Sequence, residues 1–285
     1  MIETLNKEIE KLNLEWNIHP FPHVVIDNFL SEELFLSINK EFQNAGGLKN
    51  IKKNFSTYLE LNKKVYGDKD LTKYSRYPVD ILGGNSFIKL IQKFIGDMKV
   101  ISLSEWENYG GYYPFHSMNN EGVLGSHVDH SHSKYGDLHI ANAIYYCSPT
   151  WEKSWGGETL LFDQCGLNII KKIEPLPNRL IIFIHSAVSF HGVNKISSPS
   201  NIQRLSYYMD YYINDINLEK ILNNLKHNNF KKVKYSYHGT CFIPFFPLGV
   251  KSFRIKNILK KSNYFYLLTF LKYLFNTYVF NKMTH

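Results

Sequence analysis

Apolar and polar positions follow two different periods along this chain, and the change falls near residue 100. MIETLNKEIEKLNLEW, at the start, has the spacing of an amphipathic helix. In HPFPHVVIDNFL the β-branched run VVI, bounded by Pro and Asn, predicts a short strand. Ser31 then sits where an N-cap belongs, with Glu33 close behind and apolar residues at helical spacing through Phe42. Residues 45–80 are polar and Lys/Asn-rich with weak periodicity, which predicts a loop, and 86–100 return to a helical pattern.

Beyond residue 100 short apolar or alternating runs take over: ISLSEWENY, HIANAIYYCS, ETLLFD, NRLIIFIH, AVSFHGV and RLSYYMDYYI. Turn formers separate them, among them GG at 110–111 and 156–157, PLPN at 175–178 and SSPSN at 197–201. Strands at this spacing predict a mainly β fold with flanking helices (α+β), whose natural form is an eight-stranded jelly roll, the double-stranded β-helix. The organisation expected is a jelly-roll domain with N-terminal helices over 1–215 and a C-terminal extension over 216–285. The extension opens with a helix-like, Lys/Asn-rich segment at 216–232. It closes with NYFYLLTFLKYLFNTYVF at 263–280, near bilayer-spanning length but interrupted by Asn263, Thr269, Lys272, Asn276 and Thr277. A helix docked on the catalytic domain is the first reading of that segment. An interfacial helix lying on anionic lipid is the sharper one.

Charge changes the picture. The net +8 is uneven: residues 216–285 carry eleven Lys and one Arg against a single acid, Glu219, so the rest of the chain is mildly acidic. An anionic partner for the tail follows, whether membrane surface, phosphorylated substrate or nucleic acid. Aromatic residues interleave with lysines at 231–246, which keeps a nucleic-acid-directed demethylase in view, although Lys-rich stretches are more often solvated faces. The three cysteines, Cys147, Cys165 and Cys241, form no CxxC pair, and the first residues lack the apolar core of a secretory signal. A reducing, cytoplasmic location with peripheral membrane contact is expected.

The chemistry lies in HVD at 127–129 and FHGV at 190–193. Residues i and i+2 of a strand point to one side, so His127 and Asp129 can converge on one ion. His191, far downstream after an apolar strand, can complete a 2-His-1-carboxylate set of the kind that binds one face of iron(II). With twelve histidines in the chain, one HxD pair arises readily by chance. The order of features carries the assignment, because Arg204 follows His191 by thirteen residues inside the apolar strand RLSYYMDYYI. A guanidinium there needs a partner, and its fork suits a carboxylate.

These residues resemble the prolyl 4-hydroxylase-like branch of the 2-oxoglutarate/Fe(II)-dependent dioxygenase superfamily. The similarity runs over about residues 20–215: PFPHVVIDNFLSEELF, the HxD pair, AIYYCSPTWEKSWGGETLLFD, NRLIIFIHSAVSFHGV and QRLSYYMDYY occur in the family's order. The resemblance implies that Fe(II), 2-oxoglutarate and O2 are used, with ascorbate as an accessory reductant and succinate and CO2 as products. It implies that His127, Asp129 and His191 are metal ligands and that Arg204 binds the distal carboxylate of 2-oxoglutarate. Tyr146 then bonds the same carboxylate and Ser206 shares the face. Gly156 and Gly157 make a tight strand connection. Asp129 stands where halogenating relatives carry a small non-ligating residue, which implies hydroxylation. His130 and His132 crowd the pair, and exposed loop histidines are the expectation for them. The substrate is expected among small molecules, glycans, lipids or peptides, with anionic character. A cupin-like metal protein without oxygenase activity is the competing class; it needs no buried arginine.

Overall fold

The computed structural model describes residues 14–44, 51–67, 71–95, 100–102, 113–213, 236–247, 249–250 and 264–279, with single residues at 9, 12 and 223. Twelve strands form one curled antiparallel sheet, with helices against one face. Its main path uses β1 (His23–Ile26), β5 (Phe115–Val128), β6 (Leu138–Tyr146), β7 (Thr159–Phe162), β8 (Ile169–Ile173), β9 (Arg179–Ile184), β10 (His191–Val193) and β11 (Arg204–Ile213). The order is β1-β9-β6-β11-β5-β10-β7-β8, the crossover pattern of a jelly roll. The runs at 138–146, 159–162, 179–184, 191–193 and 204–213 are strands as their alternation predicts. Of ISLSEWENY, only Ile101 and Ser102, in β4 (Val100–Ser102), lie within the described residues. The helix expected at 1–16 falls largely outside them, and that at 216–232 almost wholly.

Alternation along β6 and β11 divides the molecule. Tyr207, Met209, Tyr211 and Ile213 of β11, with Ala143 and Tyr145 of β6, face a core shared with α1 (Glu32–Asn44), α2 (Tyr77–Leu82) and α3 (Asn85–Ile95). The helices meet it with apolar stripes, Leu34, Phe35 and Ile38 from α1 and Phe87, Leu90, Ile91 and Ile95 from α3. Ser31 caps α1 as predicted: its Oγ accepts the Leu34 N–H at 3.4 Å. Buried tyrosines keep their hydroxyls satisfied, Tyr207 donating to the Ser75 carbonyl at 2.6 Å and Tyr211 to that of Leu82 at 2.7 Å.

The structure corrects the loop expected at 45–80: there β2 (Ile51–Ser56) and β3 (Glu60–Tyr66) form a hairpin, and β3 pairs with β5. Residues 115–128, where no apolar or alternating run marks a strand, are the fourteen-residue strand β5. β2 is almost wholly exposed, so burial imposes no alternation on its sequence. β5 is paired along both edges, with β3 and β11 at its start and with β10 and β12 (Cys241–Phe242) at its end, and its burial does not alternate. β8 also escaped the sequence pattern, being half-exposed with consecutive lysines.

The tail closes the far side. Helix α4 (Tyr264–Leu274) docks through Tyr266, against Tyr58 and Phe242, and through Tyr273, against Phe190. Ile182, fully buried in β9 between the helices and the sheet, tests the main core. Ile182→Ala should lower unfolding free energy by about 2–5 kcal/mol. Urea denaturation should show a reduced midpoint with an unchanged slope.

Candidate metal and co-substrate site

β5 and β10 bring the predicted triad together by register. His191 lies directly opposite His127, and their rings are 4.3 Å apart. Each Nδ1 faces a backbone carbonyl, that of Gly125 at 2.9 Å for His127 and that of Ser189 at 3.1 Å for His191. A carbonyl only accepts, so each Nδ1 carries a proton and each ring turns its Nε2 the other way. Both Nε2 atoms face Asp129: His127 Nε2 is 3.6 Å from Oδ1 and His191 Nε2 is 3.4 Å from Oδ2. Phe242 stacks on His127 at 4.7 Å, and Phe183 packs against His191 at 4.9 Å, fixing both ring planes. Gly192 lets the strands approach: a Cβ there would lie 2.7 Å from the Leu124 carbonyl oxygen.

Electrostatics favour neutral His127 and ionised Asp129. Burial, with His191 beside it, pushes His127 down to about 3. Burial works upward on Asp129, but the surrounding imidazoles, His191 and His127 first, outweigh it and keep its carboxyl below the usual range. Asp129 Oδ2 also accepts from the Tyr208 hydroxyl at 3.1 Å and Asn142 Nδ2 at 3.4 Å. Two imidazole nitrogens and one carboxylate around a common point are a donor set that fits iron(II) and leaves coordination positions open.

The triad lines a cavity of about 350 Å³ shared with Arg204, Ser206, Thr159, Lys53 and Lys63. Arg204 is buried; its Nε donates to the Gly157 carbonyl at 2.9 Å and its Nη2 to Thr159 Oγ1 at 3.1 Å. Its guanidinium lies over the Tyr146 ring, 4.8 Å from the centroid. Among the described residues no carboxylate forms an ion pair with it. Ser206 faces the cavity two residues along the strand. Tyr146, by contrast, lies beneath the guanidinium, its hydroxyl 2.5 Å from Thr159 Oγ1, while Tyr145 faces the helical core. Gly156 and Gly157 adopt positive φ, and a Cβ on Gly157 would press on Trp151 at 2.8 Å.

Other site residues escaped the sequence reading. Asn142 Nδ2 joins Tyr208 and Asp210 as well as Asp129. His185 Nε2 faces the Asp129 carbonyl at 3.2 Å. Strand alternation from Arg204 would have found Tyr208 and Asp210, and alternation back from Tyr146 would have found Asn142. His130 and His132 are half-buried rather than exposed. His130 bonds the Tyr212 hydroxyl at 2.7 Å and groups with His139 and Asp210, whereas His132 bonds Ser131. A bulge in the β6–β11 register after Tyr211 turns His139 towards Asp210, 3.2 Å away. Burial lowers the His139 pKa but Asp210 outweighs it, and the net shift is upward.

Buried imidazoles set the acid response. Burial depresses His23 and His238 to about 4, His127 to about 3, and His116 and His185 well below the ordinary value. Each folded pKa lies below the unfolded one, so the unfolded chain takes up the proton first. Stability should therefore fall as pH drops from about 6.5 towards each folded value, by up to about 1.4 kcal/mol per pH unit for each group. His139, shifted upward, opposes this. Thermal denaturation of the metal-free protein between about pH 7 and 4 should show the decline.

Comparison with known proteins agrees with this geometry. The 2OG-Fe(II) oxygenase superfamily model matches residues 113–209, which span β5 to β11. No curated protein matches the chain. Among solved structures, a Trichoplax adhaerens prolyl hydroxylase in complex with a hypoxia-inducible-factor peptide fragment is 17% identical, with TM-score 0.51, covering 74% of this chain and 90% of that one. A Pseudomonas putida prolyl-4-hydroxylase is 15% identical at TM-score 0.46, covering 75% and 98%. HygX from Streptomyces hygroscopicus, with nickel, 2-oxoglutarate and hygromycin B bound, is 10% identical at TM-score 0.46, covering 68% and 83%. At such identity the first of these speaks for the fold. The family match covers the strands that carry the site and, with the cluster of two histidines and an aspartate, supports an oxygenase that uses iron(II) and 2-oxoglutarate, in a fold similar to that of the Trichoplax prolyl hydroxylase.

Proposed function

We propose that His127, Asp129 and His191 hold the iron, that Arg204 anchors the distal carboxylate of 2-oxoglutarate, and that the enzyme hydroxylates an unactivated C–H bond of an anionic substrate. One observation carries the reading: a buried guanidinium without an acid partner shares a cavity with two imidazoles and a carboxylate that face one point. Leaving that cation unpaired is costly, and an incoming carboxylate relieves the cost. When bound, the metal and 2-oxoglutarate supply the oxidising chemistry, with O2 consumed and succinate and CO2 released.

The chain's own residues do the positioning. The Gly125 and Ser189 carbonyls fix the two ring tautomers, and Tyr208 and Asn142 orient Asp129. Gly157 and Thr159 hold the Arg204 fork flat on Tyr146, leaving the rest of the guanidinium for a carboxylate, with Ser206 alongside. Leu124, Val193, Met118 and Ile144 line the remaining wall and limit water at the reacting carbon.

The anionic character rests on two further cations. Lys63 and Lys53 line the same cavity from β3 and β2; Glu60 pairs with Lys63 at 3.8 Å, and Lys53 lies over the Tyr113 ring at 5.2 Å. This lysine side of the cavity is where a substrate carboxylate or phosphate would be attracted.

Arg204→Ala should weaken 2-oxoglutarate binding about tenfold or more, the loss of a charge-assisted bond of about 1.5–3 kcal/mol. Titration of 2-oxoglutarate in the presence of a redox-inert divalent metal reads this directly, and unchanged affinity would remove Arg204 from the anchor. Asp129→Ala should abolish both metal binding and succinate formation. Full turnover by that variant would refute the metal site.

A further inference from the structure

Helix α4 turns opposite faces to the jelly roll and to solvent, and both are apolar. The inner face seats Tyr266 and Tyr273, which are 7% and 2% exposed. On the outer face Tyr264, Leu268 and Leu271 recur at helical spacing as one stripe, 54%, 65% and 52% exposed. Phe265 and Leu267 widen it. A surface helix ordinarily turns charged residues outward. An exposed contiguous apolar patch marks a docking surface.

Charge identifies what docks there. Lys272 is exposed on the helix itself, Lys260 and Lys261 immediately precede it in sequence, and Lys282 follows. After Glu219 the sequence contains no further acidic side chain. A second copy meeting this stripe about a two-fold axis would set the same cations against each other. A bilayer carrying anionic lipid complements both features, accepting the apolar stripe at its acyl boundary and the lysines at its phosphates. Tyr264, at the start of the stripe, suits the headgroup level. Among the described residues no helix is long and apolar enough to cross a membrane.

We propose that the outer face of α4 docks this oxygenase on an anionic lipid surface, with the helix lying in the interface plane. The inner face connects this surface to the active site, because Tyr266 packs at 5.4 Å on Phe242, the ring stacked on His127. Docking therefore holds the metal site two ring contacts from the bilayer.

Vesicle flotation of the full-length protein tests this, comparing phosphatidylcholine vesicles with vesicles in which part of that lipid is replaced by phosphatidylglycerol. The protein should float with the anionic vesicles, be left behind by the neutral ones, and be released by salt. Leu268→Glu/Leu271→Glu, which changes only solvent-facing positions, should reduce recovery roughly tenfold or more. Its thermal transition and succinate formation should match wild type. Equal recovery on neutral vesicles, undiminished recovery of the variant, or a wild-type dimer that the variant breaks without any lipid binding would each overturn the proposal.

Discussion

The register between β5 and β10 is the constraint on which the rest of the site depends. It sets His191 opposite His127, so two side chains far apart in sequence become cross-strand neighbours. A slip of one residue would turn either imidazole to the opposite face of its strand. What prevents the slip is packing on both sides of the pair. Phe190, Val193, Leu124 and Val128 are buried in the flanking clusters, and Gly192 permits close approach where any larger residue would strike the β5 backbone.

Around that pair the polar groups form one connected system. Asp129 can be buried as a carboxylate because Tyr208 and Asn142 donate to it. Asp210 can be buried behind it because Asn142, Tyr212 and His139 supply it. Buried charge is tolerated only with such partners, which explains why the cavity side of β11 carries a serine, tyrosines and an aspartate in a strand whose other face is apolar. Arg204 breaks this pattern: its donors meet a carbonyl and a hydroxyl but no acid. Among the described residues, that buried guanidinium without an acid partner is the feature that fits a carboxylate ligand.

The parts of the fold that the sequence left unread share a physical cause. The hairpin of β2 and β3 carries Lys53 and Lys63 to the cavity, yet its outer strand meets solvent on both faces and so has no alternating pattern. β5 fails for a different reason. Its residues change partners along their length, so FHSMNNEGVLGSHV mixes polar, small and apolar positions without a period.

By itself the sequence determined the strands and helices with one buried face, because burial of a regular element writes a period into the chain: β6, β9 and β11, and the capped α1. It also offered the candidate donors in order, His127, Asp129, His191 and then Arg204, since i and i+2 on a strand share a side. Only the tertiary structure decided which distant groups would meet. The pairing of β10 with β5, the seat of Arg204 on Tyr146, the gathering of Asn142, Tyr208 and Asp210 behind Asp129, and the outward stripe of α4 all depend on contacts between segments far apart in sequence. A linear period records only how one segment meets its surroundings, never which segment it meets.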